Sequence, residues 1–217
     1  MWIRCKALLL LAMTPKIKPL SQSKARELFM QGYKLAFGKH IKRRNRKEIF
    51  RLWLLAAESG FVRAQFYVGT CYDFGLGTQK NLTKAFYWYL KAAKAGQRDA
   101  QYNVGCFYSL GLLSKIDHRK KVFWYSKAAN AGQIDAQRDL GYSYFYGEGV
   151  AQSDEKAVYW YKKAARSNDN KALFNLGLCY LYGDGVERSE RWARFYMTKA
   201  ARYGHPAAKR RLNEFDE

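Results

Sequence analysis

The chain has 217 residues, a length typical of one or two domains. Hydrophobic residues make up 48% of it, which excludes a wholly disordered chain, and only three prolines occur, so long helices are permitted. A formal net charge of +21 makes nucleic acid, an anionic membrane surface and acidic proteins conceivable partners.

Residues 1–24 form an N-terminal segment with weak targeting features. The longest apolar run, 7–13, follows Arg4 and Lys6 but precedes no clear small-residue cleavage site. It is far shorter than the roughly 20 apolar residues of a membrane span, so we expect no transmembrane segment. A frayed or helical N-terminus and a cytoplasmic protein are the simplest interpretation. A secreted, periplasmic or organellar location stays open if residues 1–20 are a targeting segment.

Residues 25–63 are predicted to form two helices around a strongly basic loop. Residues 1–62 hold 14 basic and 3 acidic residues, so about half of the net charge lies in less than a third of the chain. The loop could bind phosphate or anionic lipid, or act as a nuclear import signal, but a solvated loop that aids solubility is the simpler interpretation. The candidate anion-binding residues are Lys39, Lys42, Arg43, Arg44, Arg46 and Lys47.

From residue 64 the sequence repeats with a period of 36 residues. Four units align without a gap, and we number them repeats 1 to 4: 64–99, 100–135, 136–171 and 172–207. All four have Ala at position 1, Gly at positions 6 and 12, Tyr at position 9, Lys at position 28 and Ala-Ala at positions 29 and 30. Position 25 is Trp in three units and Tyr196 in the fourth. Such regularity predicts a repeat protein.

Each unit is predicted to contain two helices. The first ends at a Gly-x-Gly turn, because glycine tolerates the left-handed backbone that terminates a helix. In repeat 2 the second glycine is replaced by Leu113, so we expect a different turn there. Good N-cap residues stand at position 18, and residues that favour a helix end stand at position 33. They are Asn81, Asp117, Ser153 and Ser189, then Gly96, Gly132, Asn168 and Gly204.

The glycine at position 6 predicts close helix packing, since glycine inside a helix costs up to about 1 kcal/mol relative to alanine. With the alanines it would let two backbones approach, while the Tyr at position 9 and the Trp at position 25 fill the remaining space. One unit cannot bury its own faces, so the units must stack as a solenoid. Residues 25–63 read as a divergent first repeat, with Gly32 one residue out of register, and residues 208–217 as a C-terminal capping helix.

The repeated residues resemble a known family. The motif A-x-x-x-[LV]-G-x-x-Y-x-x-G-x-G, followed by A-x-x-W-Y-x-K-A-A-x-x-G, is similar to the Sel-1-like repeat, a relative of tetratricopeptide repeats with a longer turn between helices. The resemblance covers about residues 25–215, and repeat 2 departs from it at Lys121. It implies an all-α, right-handed α/α superhelical solenoid of about five repeats that acts as an adaptor in protein complexes. With at most one cysteine in each unit, the chain does not match the family's cysteine-rich bacterial branch.

Helical periodicity assigns two faces to the first helix of each unit. Positions 1, 5, 8, 9 and 12 share the core face, which includes Cys71 and Cys179, and positions 3, 7 and 10 lie opposite. In resembling solenoids this opposite face is concave, so its aromatic residues predict a groove for a peptide or protein segment. Packing against the neighbouring first helix is the alternative. The candidates are Phe66, Thr70, Asp73, Tyr102, Cys106, Ser109, Arg138, Tyr142, Phe145, Phe174, Leu178 and Leu181.

No constellation in the sequence predicts catalysis. His40, His118 and His205 have no second metal ligand at helical spacing, and no GxSxG, P-loop or GxGxxG motif occurs. We therefore expect a non-enzymatic, monomeric scaffold that binds another protein and carries no metal or cofactor. The alternatives are an electrostatic binder of nucleic acid or anionic membranes through residues 39–51, and a secreted regulator or effector.

Overall fold

The computed structural model describes residues 20–38 and 45–213, and every regular element among them is an α-helix. Consecutive helices pack against one another along the chain. The eleven described helices are α1 (Gln22–Phe37), α2 (Arg46–Glu58), α3 (Val62–Phe74), α4 (Leu82–Lys94), α5 (Arg98–Leu110), α6 (His118–Asn130), α7 (Ile134–Tyr146), α8 (Asp154–Ala165), α9 (Asn170–Tyr182), α10 (Glu190–Arg202) and α11 (Pro206–Asn213). Within the described ranges, none of these helices is long and apolar enough to cross a membrane.

The predicted helix ends are confirmed at both ends of the second helices. The four N-cap side chains accept a hydrogen bond from the backbone N–H three residues later, at 2.9 Å for Asn81 and Asp117. The residues at position 33 have positive φ, and Asn168, at 60°, is the only described residue other than glycine that does. Local capping chemistry therefore sets these boundaries.

The glycines at position 6 do sit at a tight helix contact, but the residue that meets them was not predicted. A Cβ added to Gly105 would lie 2.4 Å from the ring of Tyr125, at position 26. Gly69 and Gly141 meet Tyr89 and Tyr161 in the same way. The tryptophans at position 25 are buried as expected, whereas the tyrosines at position 9 remain half-buried. Space-filling at the crossing therefore falls to position 26, not to position 9.

A second feature that the sequence reading missed joins successive repeats. The buried glutamine at position 2 donates its side-chain N–H to a carbonyl in the last turn of the preceding second helix. The three bonds join Gln65 to Ala57, Gln101 to Ala93 and Gln137 to Ala129, at 3.1–3.3 Å. In repeat 4 the apolar Leu173 replaces the glutamine and is fully buried. Each of these carbonyls also accepts the backbone N–H of the glycine three residues later, so the glutamine adds a second hydrogen bond, from the next repeat, at the end of the helix.

Helices α1 and α2 form an N-terminal repeat that keeps the same crossing. A Cβ on Gly32 would lie 2.7 Å from the indole nitrogen of Trp53, which occupies position 26. Asn45 caps α2 by accepting from the N–H of Glu48 at 3.2 Å. At the other end, α11 starts at Pro206, a favourable first helical residue, two residues before the predicted capping segment. The boundaries proposed for the segments 1–24, 25–63, 64–207 and 208–217 remain predictions.

Candidate interaction surface on the first helices

The twelve residues predicted to face a groove are neither buried in the core nor fully open. Eleven are half-buried, and Tyr142 is 45% exposed. They come from α3, α5, α7 and α9, the first helices of repeats 1 to 4. Some of these residues contact other parts of the solenoid and others are open to solvent. Only the open ones are available to a partner.

The position 3 side chains at the middle of the solenoid join neighbouring repeats. The hydroxyl of Tyr102 in α5 donates to Oδ2 of Asp139 in α7 at 2.9 Å. Its ring stacks on Tyr125 with centroids 5.3 Å apart. Burial, reinforced by the Asp139 charge, raises the pKa of Tyr102, so the hydroxyl stays a donor. This part of the predicted face packs against the neighbouring first helix, as the alternative interpretation proposed.

Arg138 is held in a network of three carboxylates. Its guanidinium lies 2.7 Å from Asp135, 2.8 Å from Asp139 and 3.1 Å from Asp169, and the side chain is only 13% exposed. Burial alone would lower the pKa of Arg138, but the three acids outweigh it and raise the pKa. Asp169 also caps α9, accepting from the N–H of Ala172 at 2.7 Å. Arg138 in α7 therefore holds the N-cap residue of α9, the first helix of repeat 4.

At the N-terminal end, the candidates of repeat 1 surround the position 26 tyrosine. The hydroxyl of Tyr89 lies 3.3 Å from both Thr70 Oγ1 and Asp73 Oδ2. The ring of Phe66 lies 5.9 Å from that of Tyr89. At the opposite end of the solenoid, Phe174 stacks on His205 with centroids 4.2 Å apart. Both ends of the predicted face thus also contribute to packing.

The cysteines lie where the sequence placed them. Cys71 and Cys179 are 2% exposed, and burial raises the pKa of each thiol to about 12. Cys106 is half-buried, with its sulfur 3.5 Å from the hydroxyl of Tyr125, and burial raises its pKa as well. A thiol with a raised pKa is a poor nucleophile, so these groups act as packing residues.

The most exposed apolar side chains on the first helices stand at position 11, which the sequence reading did not single out. We call them the first-helix row: Phe74 at 69% exposure, Leu110 at 66%, and Tyr146 and Tyr182 at 58% each. The last residue of α1, Phe37, is 55% exposed at the equivalent place. The signal was present in the sequence, since every first helix ends in a large apolar residue directly before its terminal glycine.

The row continues the predicted face. Positions 3, 7 and 11 are each four residues apart and so follow one side of a helix. In α7 the rings of Tyr142 and Tyr146 touch, with centroids 4.4 Å apart. Exposure rises along this line, from the packed residues at position 3 to the open residues at position 11.

Of the predicted anion-binding residues, four lie outside the described residues: Lys39, Lys42, Arg43 and Arg44. Arg46 and Lys47 form the exposed first turn of α2. Anion binding by this segment stays a prediction.

The comparisons with known proteins agree with this architecture. The Sel1 repeat family model matches residues 62–97, 98–133, 134–169 and 170–205, which keeps the 36-residue period and starts each unit two residues earlier. A Sel1 repeat protein from Oxalobacter formigenes is 30% identical, with a TM-score of 0.79 over 92% of this chain and 78% of its own.

Two further solved structures are similar. A protective antigen of uropathogenic Escherichia coli with an SLR fold is 28% identical, with a TM-score of 0.59 over 89% of this chain and 49% of its own. An immunity protein from Pseudomonas aeruginosa, 21% identical over 88% of this chain and 70% of its own, shares the fold with a TM-score of 0.52. A comparison with curated proteins gave no match. The family model covers well over half of the sequence, so this chain belongs to the Sel1 repeat family, whose members mediate protein–protein interactions.

Proposed function

We propose that this chain is a non-enzymatic scaffold that binds a peptide or protein segment along its first helices. The observation that carries the proposal is the first-helix row: the first helices of five successive repeats, α1 included, each present a large apolar residue that is more than half exposed. Single exposed apolar residues are ordinary on a protein surface, but a periodic row on one set of helices favours a binding surface.

The face is half-buried at position 3 and exposed at position 11, and this difference supports the proposal. The half-buried residues at position 3 are fixed by contacts such as Tyr102 with Asp139 and Arg138 with Asp169. They form the packed, rigid part of the face. The side chains at position 11, aromatic in repeats 1, 3 and 4 and Leu110 in repeat 2, are more than half exposed and could enter pockets of a partner. Aromatic anchors that fill such pockets contribute much of the energy at interfaces. A partner segment with apolar side chains, lying across several repeats, fits this arrangement.

The test of the proposal removes exposed rings and leaves the packed residues at position 3 unchanged. Phe74→Ser, Tyr142→Ser and Tyr146→Ser together should abolish capture of partner proteins from a lysate of the source organism, compared with wild type by quantitative mass spectrometry. Truncating half-buried Phe66 or Tyr102 instead would also disturb packing, so those residues are poorer choices. Circular dichroism and the Tm of the variant check that the fold is retained.

The control changes two exposed residues away from the row: Leu35→Ser and Tyr203→Ser, which are 38% and 45% exposed. Partners should survive this change. A photo-crosslinking residue placed at Phe74 should join the same partner, and one placed at Tyr203 should not. If the triple serine variant folds and keeps its partners, the first helices are not the binding face.

A monomeric state and a cytoplasmic location remain part of the proposal. Gel filtration with light scattering tests the first. N-terminal sequencing of the native protein tests the second, because export would remove a signal from residues 1–20.

A further inference from the structure

We infer that a second surface, on the second helices, binds single-stranded nucleic acid. Positions 21, 24, 28 and 31 of repeats 1 to 4 are spaced by three or four residues and so form one face, here called the second-helix stripe. Position 24 is aromatic in every repeat: Tyr87, Phe123, Tyr159 and Phe195. Ten of the other positions are basic: Lys84, Lys91, Lys94, Lys120, Lys127, Lys156, Lys163, Arg166, Lys199 and Arg202.

The aromatic rings of the stripe are open and share one orientation. Phe123, Tyr159 and Phe195 are 47–53% exposed, and Tyr87 is half-buried. Each ring meets the aromatic residue that follows it edge to face, with centroids 5.1–5.2 Å apart and interplanar angles of 78–83°. A ring already fixed in this way loses little conformational entropy when a ligand stacks on it.

The lysines at position 28 place a cation over each ring. Their ammonium nitrogens lie 4.7–5.8 Å from the ring centroids at position 24. Among the described residues, none of these four lysines is within salt-bridge distance of a carboxylate. No position of the stripe is acidic, so its ten basic side chains account for nearly half of the chain's net charge of +21. Repeat 4 carries Trp192, 46% exposed, where the other repeats have the position 21 lysine.

The N-terminal repeat lacks this pattern. Only the lysine at position 28 belongs to the family motif, so the motif does not explain the aromatic residues at position 24 or the basic residues at positions 21 and 31. The equivalent positions of the N-terminal repeat are Glu48, Arg51, Leu55 and Glu58. Glu48 and Arg51 pair with each other at 2.8 Å. The stripe therefore belongs to repeats 1 to 4 and is independent of the first-helix row.

Of the anionic partners that this charge could attract, a single strand matches best. Unpaired bases can stack on the exposed rings while lysines and arginines contact the phosphates. In a duplex the bases are stacked on one another and unavailable to such rings. Membrane-binding helices separate an apolar face, rich in Trp, Phe and Leu, from a basic face. In the stripe the aromatic and basic side chains share one face, which fits a single strand better than a membrane.

The test measures fluorescence anisotropy of labelled oligothymidylate and oligouridylate with the full-length protein. Binding should weaken steeply as salt rises from low to physiological concentration. Phe123→Leu, Tyr159→Leu and Phe195→Leu keep apolar volume but remove the stacking faces, and together should lower the affinity at least about tenfold. Lys91→Gln, Lys127→Gln and Lys163→Gln should reduce the slope of log affinity against log salt by about 2.

A charge-matched control removes three exposed lysines off the stripe: Lys34→Gln, Lys171→Gln and Lys209→Gln. An equal loss in this control would place binding elsewhere and overturn the inference. So would equal affinity for heparin or duplex DNA, full binding by the leucine variant, or binding to phosphatidylserine vesicles without binding to oligonucleotides. The proposal of a protein partner on the first helices stands or fails separately, since its variants leave the stripe unchanged.

Discussion

The turns between the two helices of repeats 2 and 3 differ at one position, which is Leu113 in repeat 2 and Gly149 in repeat 3. In repeat 3 a Cβ on Gly149 would lie 2.3 Å from the carbonyl oxygen of His118, the first residue of α6. Gly77 and Gly185 approach Arg46 and Asp154, the first residues of α2 and α8, as closely. In repeat 2 the equivalent residue is Leu113, which is 44% exposed beside exposed Leu112 and Ile116.

The second glycine of the turn therefore serves the joint between repeats as well as the local backbone. Only a residue without a side chain can lie against the start of the preceding second helix at this distance. Repeat 3 adds an ion pair at the same joint: Lys121, with a side chain 4% exposed, contacts Glu148 of the turn at 2.6 Å. Lys121 is where the sequence departs from the family motif, and its partner explains how a lysine is tolerated there.

The largest effect is expected from Gly149→Leu. The new side chain would overlap the backbone of His118 and would also require a non-glycine residue at a φ of 77°. We expect a loss of about 3 kcal/mol or more in the free energy of unfolding, measured by urea denaturation followed by circular dichroism.

Gly96→Ala is the control for that loss. Gly96 has a φ of 90° but no atom within 4 Å of an added Cβ, so only backbone strain of about 1 kcal/mol applies. Equal losses in the two variants would mean that the joint contributes nothing beyond the strain.

Next in size is Glu148→Gln, which leaves the buried Lys121 ammonium without its carboxylate. Breaking a fully buried pair costs several kcal/mol, but Glu148 is 36% exposed and water can reach the site, so we expect a loss of about 1–2 kcal/mol. Asp184→Asn is the matched control. It changes the equivalent turn residue of repeat 4. The residue that corresponds to Lys121 there is Ala157, so the change should be nearly neutral.

A smaller effect is expected from Leu113→Gly, the reverse of the first substitution. Leu113 is partly exposed and does not have positive φ, so glycine relieves no strain. The added freedom of the unfolded chain should cost no more than about 1 kcal/mol. A clear gain in the urea midpoint would instead indicate that the leucine holds the turn away from α4.

The smallest effect is the pH dependence of the same ion pair. The hydrogen bond from Lys121 lowers the pKa of Glu148 below 4.5, its ordinary value. The stabilisation is therefore complete above pH 4.5 and is lost as the pH falls through the lowered pKa. The difference in Tm between wild type and Glu148→Gln should shrink in that range. A difference that stays constant down to pH 3 would contradict the ion pair.

Much of the fold could be predicted because repeated local chemistry encodes it. The caps at Asn81 and Asp117, the positive φ of Asn168 and the buried Cys71 all follow from residue type and helical period. The candidate face was harder to predict. Its position 3 residues turned out to be tied to neighbouring repeats, and exposure proved greatest at position 11, at the end of each first helix.

The 36-residue period, the two helices in each unit and the family follow from residue type and spacing, because glycines, caps and alanines act over a few residues. Three contacts are seen only in the folded molecule: Gly105 meets Tyr125 and not Tyr108, Gly149 lies against α6, and Lys121 pairs with Glu148. These contacts join residues about 20 to 30 positions apart. They depend on the angle at which one helix crosses the next. Packing between the side chains of both helices sets this angle, and a local sequence pattern does not predict it.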